Sequence, residues 1–172
     1  MRPPPLRPVF PSLTLLPLRR AFSLLPPTQR SHTNRIFTPI RTPSDLHTLL
    51  LLNAADNRAL ITLWTTSYCS TCATVAPLLR ALIEDERVGE REGGLGFVQV
   101  PLDGMEIGDL GVTYRITSIP TLLAFSRQEA QFDTKLTRPE DMKDREVLRE
   151  WLVEQARRGG RRGGGGGKMF GL

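Results

Sequence analysis

Residues 59–65, Ala-Leu-Ile-Thr-Leu-Trp-Thr, form a nearly unbroken apolar and β-branched run. Such a run has no polar alternation with which to face water, so it predicts a strand buried on both sides, in the middle of a sheet. Directly after it comes Ser67-Tyr68-Cys69-Ser70-Thr71-Cys72, and then Val75, Leu78, Leu79, Leu82 and Ile83 recur at helical spacing until near Gly89. The two cysteines therefore sit where a central strand turns into a helix.

The flanking pattern supplies the other elements. Ile36 to Ile40 reads as a short edge strand, weakened by Pro39. Ser44 is placed to cap a helix that carries Leu46, Leu49, Leu50 and Leu52 to about Ala55, where Asp56-Asn57 stops it. Phe97 to Leu102 and Thr121 to Phe125 read as strands, with Gln131 to Thr134 as the hairpin partner of the latter across Arg127 to Glu129. Pro139 to Arg157 reads as one helix that buries Val147, Leu148, Trp151, Leu152 and the stem of Gln155. The order predicts an α/β fold, a mixed central sheet of about four to five strands with helices on both faces.

Charge divides the 172 residues into three parts. Residues 1–44 hold seven Arg, nine Ser or Thr, ten of the fourteen Pro and no acid, a composition that builds no core. Residues 157–172 hold five bases and no acid, and what lies between carries eleven bases against eighteen acids, net −7. A basic nucleic-acid groove on the body is thus disfavoured despite a chain net charge of +5. Nucleic-acid contact would have to come from the tails, and the run RRGGRRGGGGGK ending at Lys168, with Phe170 as the one aromatic near it, reads first as a solvated tail. Residues 1–43 read as an Arg- and Ser-rich mitochondrial transit peptide and linker, with Arg19-Arg20-Ala21-Phe22-Ser23 like a matrix-protease site. The competing secretory signal, Val9 to Leu18, is interrupted by Pro11 and Pro17. The expected address is the mitochondrion, the matrix favoured, with a domain over 44–158 and a Gly/Arg tail over 159–172. No stretch is long and apolar enough to predict a transmembrane segment.

Two Cys and two His cannot supply a self-contained four-ligand zinc site or a multi-disulfide scaffold. An iron–sulfur or zinc site would need ligands from a second chain, so no metal is expected. His47, on a solvent-facing helix, and His32 read as bystanders, Trp64 and Trp151 as core, and Glu84-Asp85-Glu86 as a solvated face. A Cys-x-x-Cys at a helix start has a sharper consequence: free N–H groups and the helix dipole stabilise the first thiolate. Cys69 should have a lowered pKa and attack disulfides, and Cys72, one turn on, is placed to resolve the mixed disulfide. The bland alternative is a pair of inert structural thiols.

Cys69-Ser70-Thr71-Cys72 after a Trp-bearing strand, Pro77 five positions past Cys72, and Ile119-Pro120-Thr121 opening the next buried strand together resemble the thioredoxin-like superfamily. Tyr114, Ile116 and Thr121–Phe125 continue the match, and small fungal mitochondrial thioredoxin-domain proteins offer a looser likeness. The resemblance implies Cys69 as nucleophile, Cys72 as resolving thiol, a cis-Pro120 beside them, and Pro77 kinking the active-site helix. It implies that Ile119 offers backbone groups to an extended substrate, with Tyr68, Ser70 and Ser118 edging the groove and Trp64 structural. It further implies protein disulfides as substrates, no bound cofactor, thioredoxin reductase and NADPH as the electron source, and a monomer. No dinucleotide fingerprint is present in the chain itself.

Departures are as informative. Leu63 stands six positions before Cys69, where thioredoxins carry a buried Asp that takes the proton of the second Cys, and Gln99 takes the place of the neighbouring Lys. Ser-Thr replaces Gly-Pro between the cysteines, and Tyr68 replaces Trp before them. Resolution by Cys72 is therefore expected to be slow or to depend on water. Two functional readings stand: thiol–disulfide exchange on protein disulfides, or a non-catalytic adaptor or assembly factor that holds a mitochondrial partner in the groove near Pro120.

Overall fold

The structure, a computed structural model, describes residues 33–160. The transit-peptide reading of residues 1–32, with its cleavage motif, and the tail from residue 161 lie outside the described residues. One five-stranded sheet runs in the order β1-β3-β2-β4-β5, with β1 at Arg35–Ile36, β2 at Ala59–Thr65, β3 at Leu95–Pro101, β4 at Thr121–Ser126 and β5 at Glu129–Ala130. β2 is buried at all seven residues, parallel to β3 and antiparallel to β4. The apolar run is the central strand because both of its faces are covered.

Alternation along the strands sorts the core into two layers. Ala59, Ile61 and Leu63 of β2, with Leu95 and Phe97 of β3 and Leu122 and Ala124 of β4, meet α2 (Ser70–Arg80), α4 (Pro139–Lys143) and α5 (Arg145–Gly160). Leu60 and Trp64, with Val98, Val100, Leu123 and Phe125, meet α1 (Pro43–Ala55) and α3 (Leu110–Thr113) on the other face. The Trp64 indole N–H donates to Thr62 Oγ1 at 2.9 Å, so the largest core side chain buries no unpaired donor. His47 is exposed on α1.

Several boundaries differ from the sequence expectation, each for a local reason. α1 is capped by Thr42 and not Ser44: Thr42 Oγ1 accepts the Asp45 N–H, and the Asp45 carboxylate accepts the Thr42 N–H at 3.0 Å. Pro43 fills the first helical position, where its missing N–H is harmless, and so fixes the cap at Thr42, two residues before Ser44. β1 is confined to Arg35–Ile36, since Pro39 has no N–H for a ladder. β3 begins at Leu95, two residues before the expected start. β5 is Glu129–Ala130 and not Gln131–Thr134, because Arg127 and Gln128 take left-handed φ of 51° and 71° and turn the chain in two residues. Phe132–Thr134 is instead a 3-10 turn.

The expected single helix over 139–157 is two. Asp144 is extended, and its carboxylate accepts N–H bonds from Glu146 at 2.9 Å and Val147 at 3.2 Å, so it ends α4 and caps α5. The buried stripe of α5 is Leu148, Leu152, Gln155, Ala156 and Gly159, which leaves Val147 on the solvent side at 37% exposure. Trp151 is half-buried and donates its indole N–H to the Thr134 carbonyl at 2.7 Å. Glu86, expected on a solvated face, pairs with both Arg145 and Arg149 and ties the π-helical turn Ala81–Asp85 to α5.

α5 also runs through Gly159 and Gly160, which composition alone assigns to the tail. A Cβ at Gly159 would stand 2.4 Å from the Ala59 backbone nitrogen, and one at Gly160 2.5 Å from the Glu92 carbonyl. Glycine is what lets the end of α5 lie directly on the start of β2. Gly159→Ala is accordingly expected to lower stability by about 1–3 kcal/mol in a urea titration, the usual range for overpacking. An unchanged midpoint would show that the helix does not seat there.

Candidate active site

β2 ends at Thr65, and a turn closed by the Cys69 N–H on the Thr66 carbonyl, at 3.2 Å, leads into α2. Cys69 is the N-cap: its backbone is extended, its carbonyl accepts the Ala73 N–H at 3.3 Å, and its Sγ accepts the Cys72 N–H at 3.1 Å. A position usually held by a Ser, Thr or Asp oxygen is here held by sulfur, which aims a backbone donor and the positive end of the helix at that atom. Cys69 and Cys72 are joined in a disulfide with their Cα atoms 5.3 Å apart. Cys69 is half-buried, whereas Cys72 is 5% exposed and shares its buried helix face with Val75 and Leu79.

The exit of β3 holds this turn from the side. The Leu102 N–H donates to the Thr65 carbonyl at 2.8 Å, and the Ser67 N–H donates to Asp103 Oδ2 at 2.7 Å. Hydrogen bonds from the Ser67 hydroxyl and then its N–H hold the Asp103 carboxyl below the ordinary Asp range. The ionised clasp thus favours the folded site above that range and weakens as pH falls through the lowered value. Sequence reading missed Asp103. The available signal was topological: parallel neighbours β2 and β3 leave the sheet at the same end, so a residue two past Pro101 lies beside the turn after Thr65.

The other wall comes from the entry to β4. Trp64 pairs with Thr121, which sets Pro120 and Ile119 opposite Thr65 and Thr66 when the antiparallel register is continued. The Ile119–Pro120 peptide is cis, Pro120 is buried, Ile119 is half-buried against the core, and Ser118 is exposed. Thr121 Oγ1 donates to the Ser118 carbonyl at 2.7 Å, fixing this loop, while the Ile119 N–H and C=O have no partner among the described residues. Those free groups are what an added strand requires. Lys135 Nζ donates to the Arg115 carbonyl at 2.9 Å, and Leu136 exchanges N–H bonds with Leu122, so the segment after β5 braces the same loop. Tyr68 is 83% exposed and Ser70 is exposed, both at the open side of Cys69.

Trp64 does not reach this surface; it lies in the layer with Tyr114, ring centroids 5.6 Å apart, and supports β2 from beneath. Pro77 is exposed and α2 runs through it to Arg80, the Ala73 carbonyl being left without its helical donor. Leu63 and Gln99 are direct neighbours in the β2–β3 register, and Leu63 is fully buried in the layer under α2. Among the described residues no group of three His, Cys, Asp or Glu could hold a metal ion, and no helix is long and apolar enough to cross a membrane.

A cis-proline loop facing a Cys-x-x-Cys helix start across the ends of β2 and β4 can be compared directly with known folds. The fold is that of thioredoxins. Thioredoxin from Fasciola hepatica superposes with a TM-score of 0.53 at 20% identity over 70% of this chain and 98% of its own. Thioredoxin NaTrxh from Nicotiana alata gives 0.55 at 12% identity, over 73% and 96%, and oxidised thioredoxin O2 from Arabidopsis thaliana gives 0.52 at 13%, over 73% and 95%. No family model matches the sequence, and no curated protein does. The thioredoxin fold is thus carried here by a sequence far from the thioredoxins it superposes on.

The two thiols of this site are unequal, and alkylation measures the difference. After reduction, iodoacetamide at pH 6–7 is expected to modify Cys69 at least about tenfold faster than Cys72, since only Cys69 is accessible and receives a backbone N–H. Equal rates would remove the assignment of roles. Asp103→Ala should raise the hydrogen-exchange rate of the Ser67 amide while leaving that of β4 unchanged; no change at Ser67 would show that the clasp does not hold the turn.

Proposed function

We propose that the protein carries out thiol–disulfide exchange on protein disulfides, acting as a reductase through Cys69-Ser70-Thr71-Cys72. The observation that carries this reading is Cys69 as a sulfur N-cap, accepting the Cys72 N–H, next to a loop whose Ile119 backbone groups have no partner among the described residues. A substrate segment in extended form would pair with Ile119, present its disulfide to Cys69, and contact Tyr68, Ser70 and Ser118 at the rim. Cys69 thiolate attacks one substrate sulfur and expels the other. Cys72 then attacks Cys69 Sγ, forms the disulfide seen here and releases the second substrate thiol. The proposed setting is the mitochondrial matrix, as a monomer, with electrons returned from NADPH through a thioredoxin reductase and no cofactor held by the chain.

The adaptor reading, in which the same groove holds a mitochondrial partner without turnover, draws support from the apolar Leu63 at the buried heart of the site. One pair of variants separates the two. Equilibration in graded thiol buffers should give a reversible two-electron midpoint for the wild type, and Cys69→Ser should abolish exchange with a disulfide peptide. If no buffer gives a reversible disulfide, and a Cys69→Ser/Cys72→Ser chain still binds its partner and sustains its phenotype, the adaptor reading replaces the enzyme.

A further inference from the structure

Cys72 is surrounded in a way that bears on how long a substrate stays attached. It is nearly fully buried, no backbone hydrogen bond reaches its Sγ among the described residues, and it continues the face of α2 on which Val75 and Leu79 pack into the layer holding Leu63, Leu122 and Met142. Among the described residues, the elements packed around it offer no buried proton acceptor. β2 presents Leu63, and β4 presents Thr121 and Leu122, none of them titratable. The β3 position beside Leu63 is Gln99, and Asp103 beyond it is exposed and engaged with the Ser67 N–H. On α4, Met142 is the buried side chain, while Glu140 and Lys143 are exposed and Asp141 is half-buried. α2 itself has only Arg80, eight residues or about 12 Å along the helix. Tyr114 lies across the sheet against Trp64 and Phe125.

A thiol in such surroundings resists ionisation, and only the thiolate attacks. Resting on the exchange function proposed above, we infer that the wild-type protein accumulates as a Cys69–substrate mixed disulfide, because the Cys72 step is slow and is driven by solvent base. In the first step Cys69-S⁻ forms a bond to one substrate sulfur, the substrate S–S bond breaks, and the other sulfur leaves as thiolate. In the second step the Cys72 proton passes to hydroxide or buffer. Cys72 sulfur then bonds to Cys69 Sγ, the mixed disulfide breaks, and the second substrate sulfur leaves and takes a proton from water. Two thiols of the protein are oxidised and one substrate disulfide is reduced. The consequence is a covalent hold on the partner that lengthens as pH falls.

The test uses reduced full-length protein mixed with a homodimeric peptide disulfide, one cysteine per strand, quenched in acid and read by mass. First-strand release reports attack by Cys69, and the protein–peptide adduct reports the pause. The adduct should become the main protein species within a single turnover. Its decay should quicken about tenfold per pH unit between pH 6 and 8 without levelling, as for a thiol protonated throughout. Leu63→Asp, where it folds, should speed decay at pH 6–7 at least tenfold and flatten that profile; where it does not fold, the wild-type profile alone decides. An adduct that never exceeds a few per cent, or decays independently of pH, overturns the inference while leaving exchange intact. No first-strand release at all overturns the exchange reading itself.

Discussion

The double burial of β2 is the constraint on which the rest of the molecule depends. A strand hydrogen-bonded to β3 on one edge and β4 on the other, with all seven residues out of water, has a fixed height, tilt and register. Its end therefore delivers Thr66 and Cys69 to one place. β3, parallel to it, leaves the sheet at that same end, and β4, antiparallel, enters there. The turn before α2, the Asp103 clasp and the Ile119–Pro120 loop converge for this reason, and the Ser67 N–H on Asp103 then fastens the first two together. The exposed side chains of the site thus stand on a rigid base while their own backbone is held by only a few bonds.

Within that base the two sulfurs are treated differently. Cys69 is half-buried and receives a backbone N–H, whereas Cys72 is nearly closed to solvent and receives no such bond among the described residues. The pairing of Leu63 with Gln99 makes the difference larger. An ionic pair at this depth would carry a desolvation penalty of several kcal/mol per ion, whereas a buried leucine contributes about 1.5–3 kcal/mol of apolar burial. The layer beneath α2 is thus apolar and, among the described residues, offers no internal base to the Cys72 sulfur. Stability and proton transfer compete for the same side chain, and here stability has it.

What was legible in the sequence was whatever repeats or runs on. β2, the helix after Cys69, β4 and most of the buried apolar positions of α1 and α5 followed from periodicity, although Leu52 and Val147 face solvent, and the place of the two cysteines between a strand and a helix followed from the same pattern. What was missed depends on partners far along the chain. Asn34 illustrates this: its amide donates to the Ile83 and Val88 carbonyls at 2.8 and 2.9 Å and its Oδ1 accepts the Leu95 N–H, so it ties the start of β1 to the π-helical turn that follows α2 and to the start of β3. Nothing around residue 34 announces that role. Asp103 and Gly159 are of the same kind. Local ambiguity accounts for the rest, since Ser44 reads as the cap until Pro43 is seen to need the first helical position, and Asp144 reads as a helical residue until its carboxylate is seen to cap the next helix.

Both functional readings use the groove at Ile119, but only exchange begins with a partner's sulfur brought to Cys69; the adaptor holds its partner there without a covalent step. Within the exchange reading proposed above, rapid turnover and covalent retention lie on one kinetic scale, the lifetime of the mixed disulfide, set by how readily Cys72 loses its proton. A site with a buried base releases its substrate as soon as geometry allows. A site whose second thiol faces leucine, valine and methionine releases it only as fast as solvent can reach and deprotonate a nearly inaccessible sulfur. On the mechanism proposed here, a single buried side chain, Leu63, moves the same thioredoxin scaffold from rapid turnover toward covalent retention, with no change to the groove that recognises the partner.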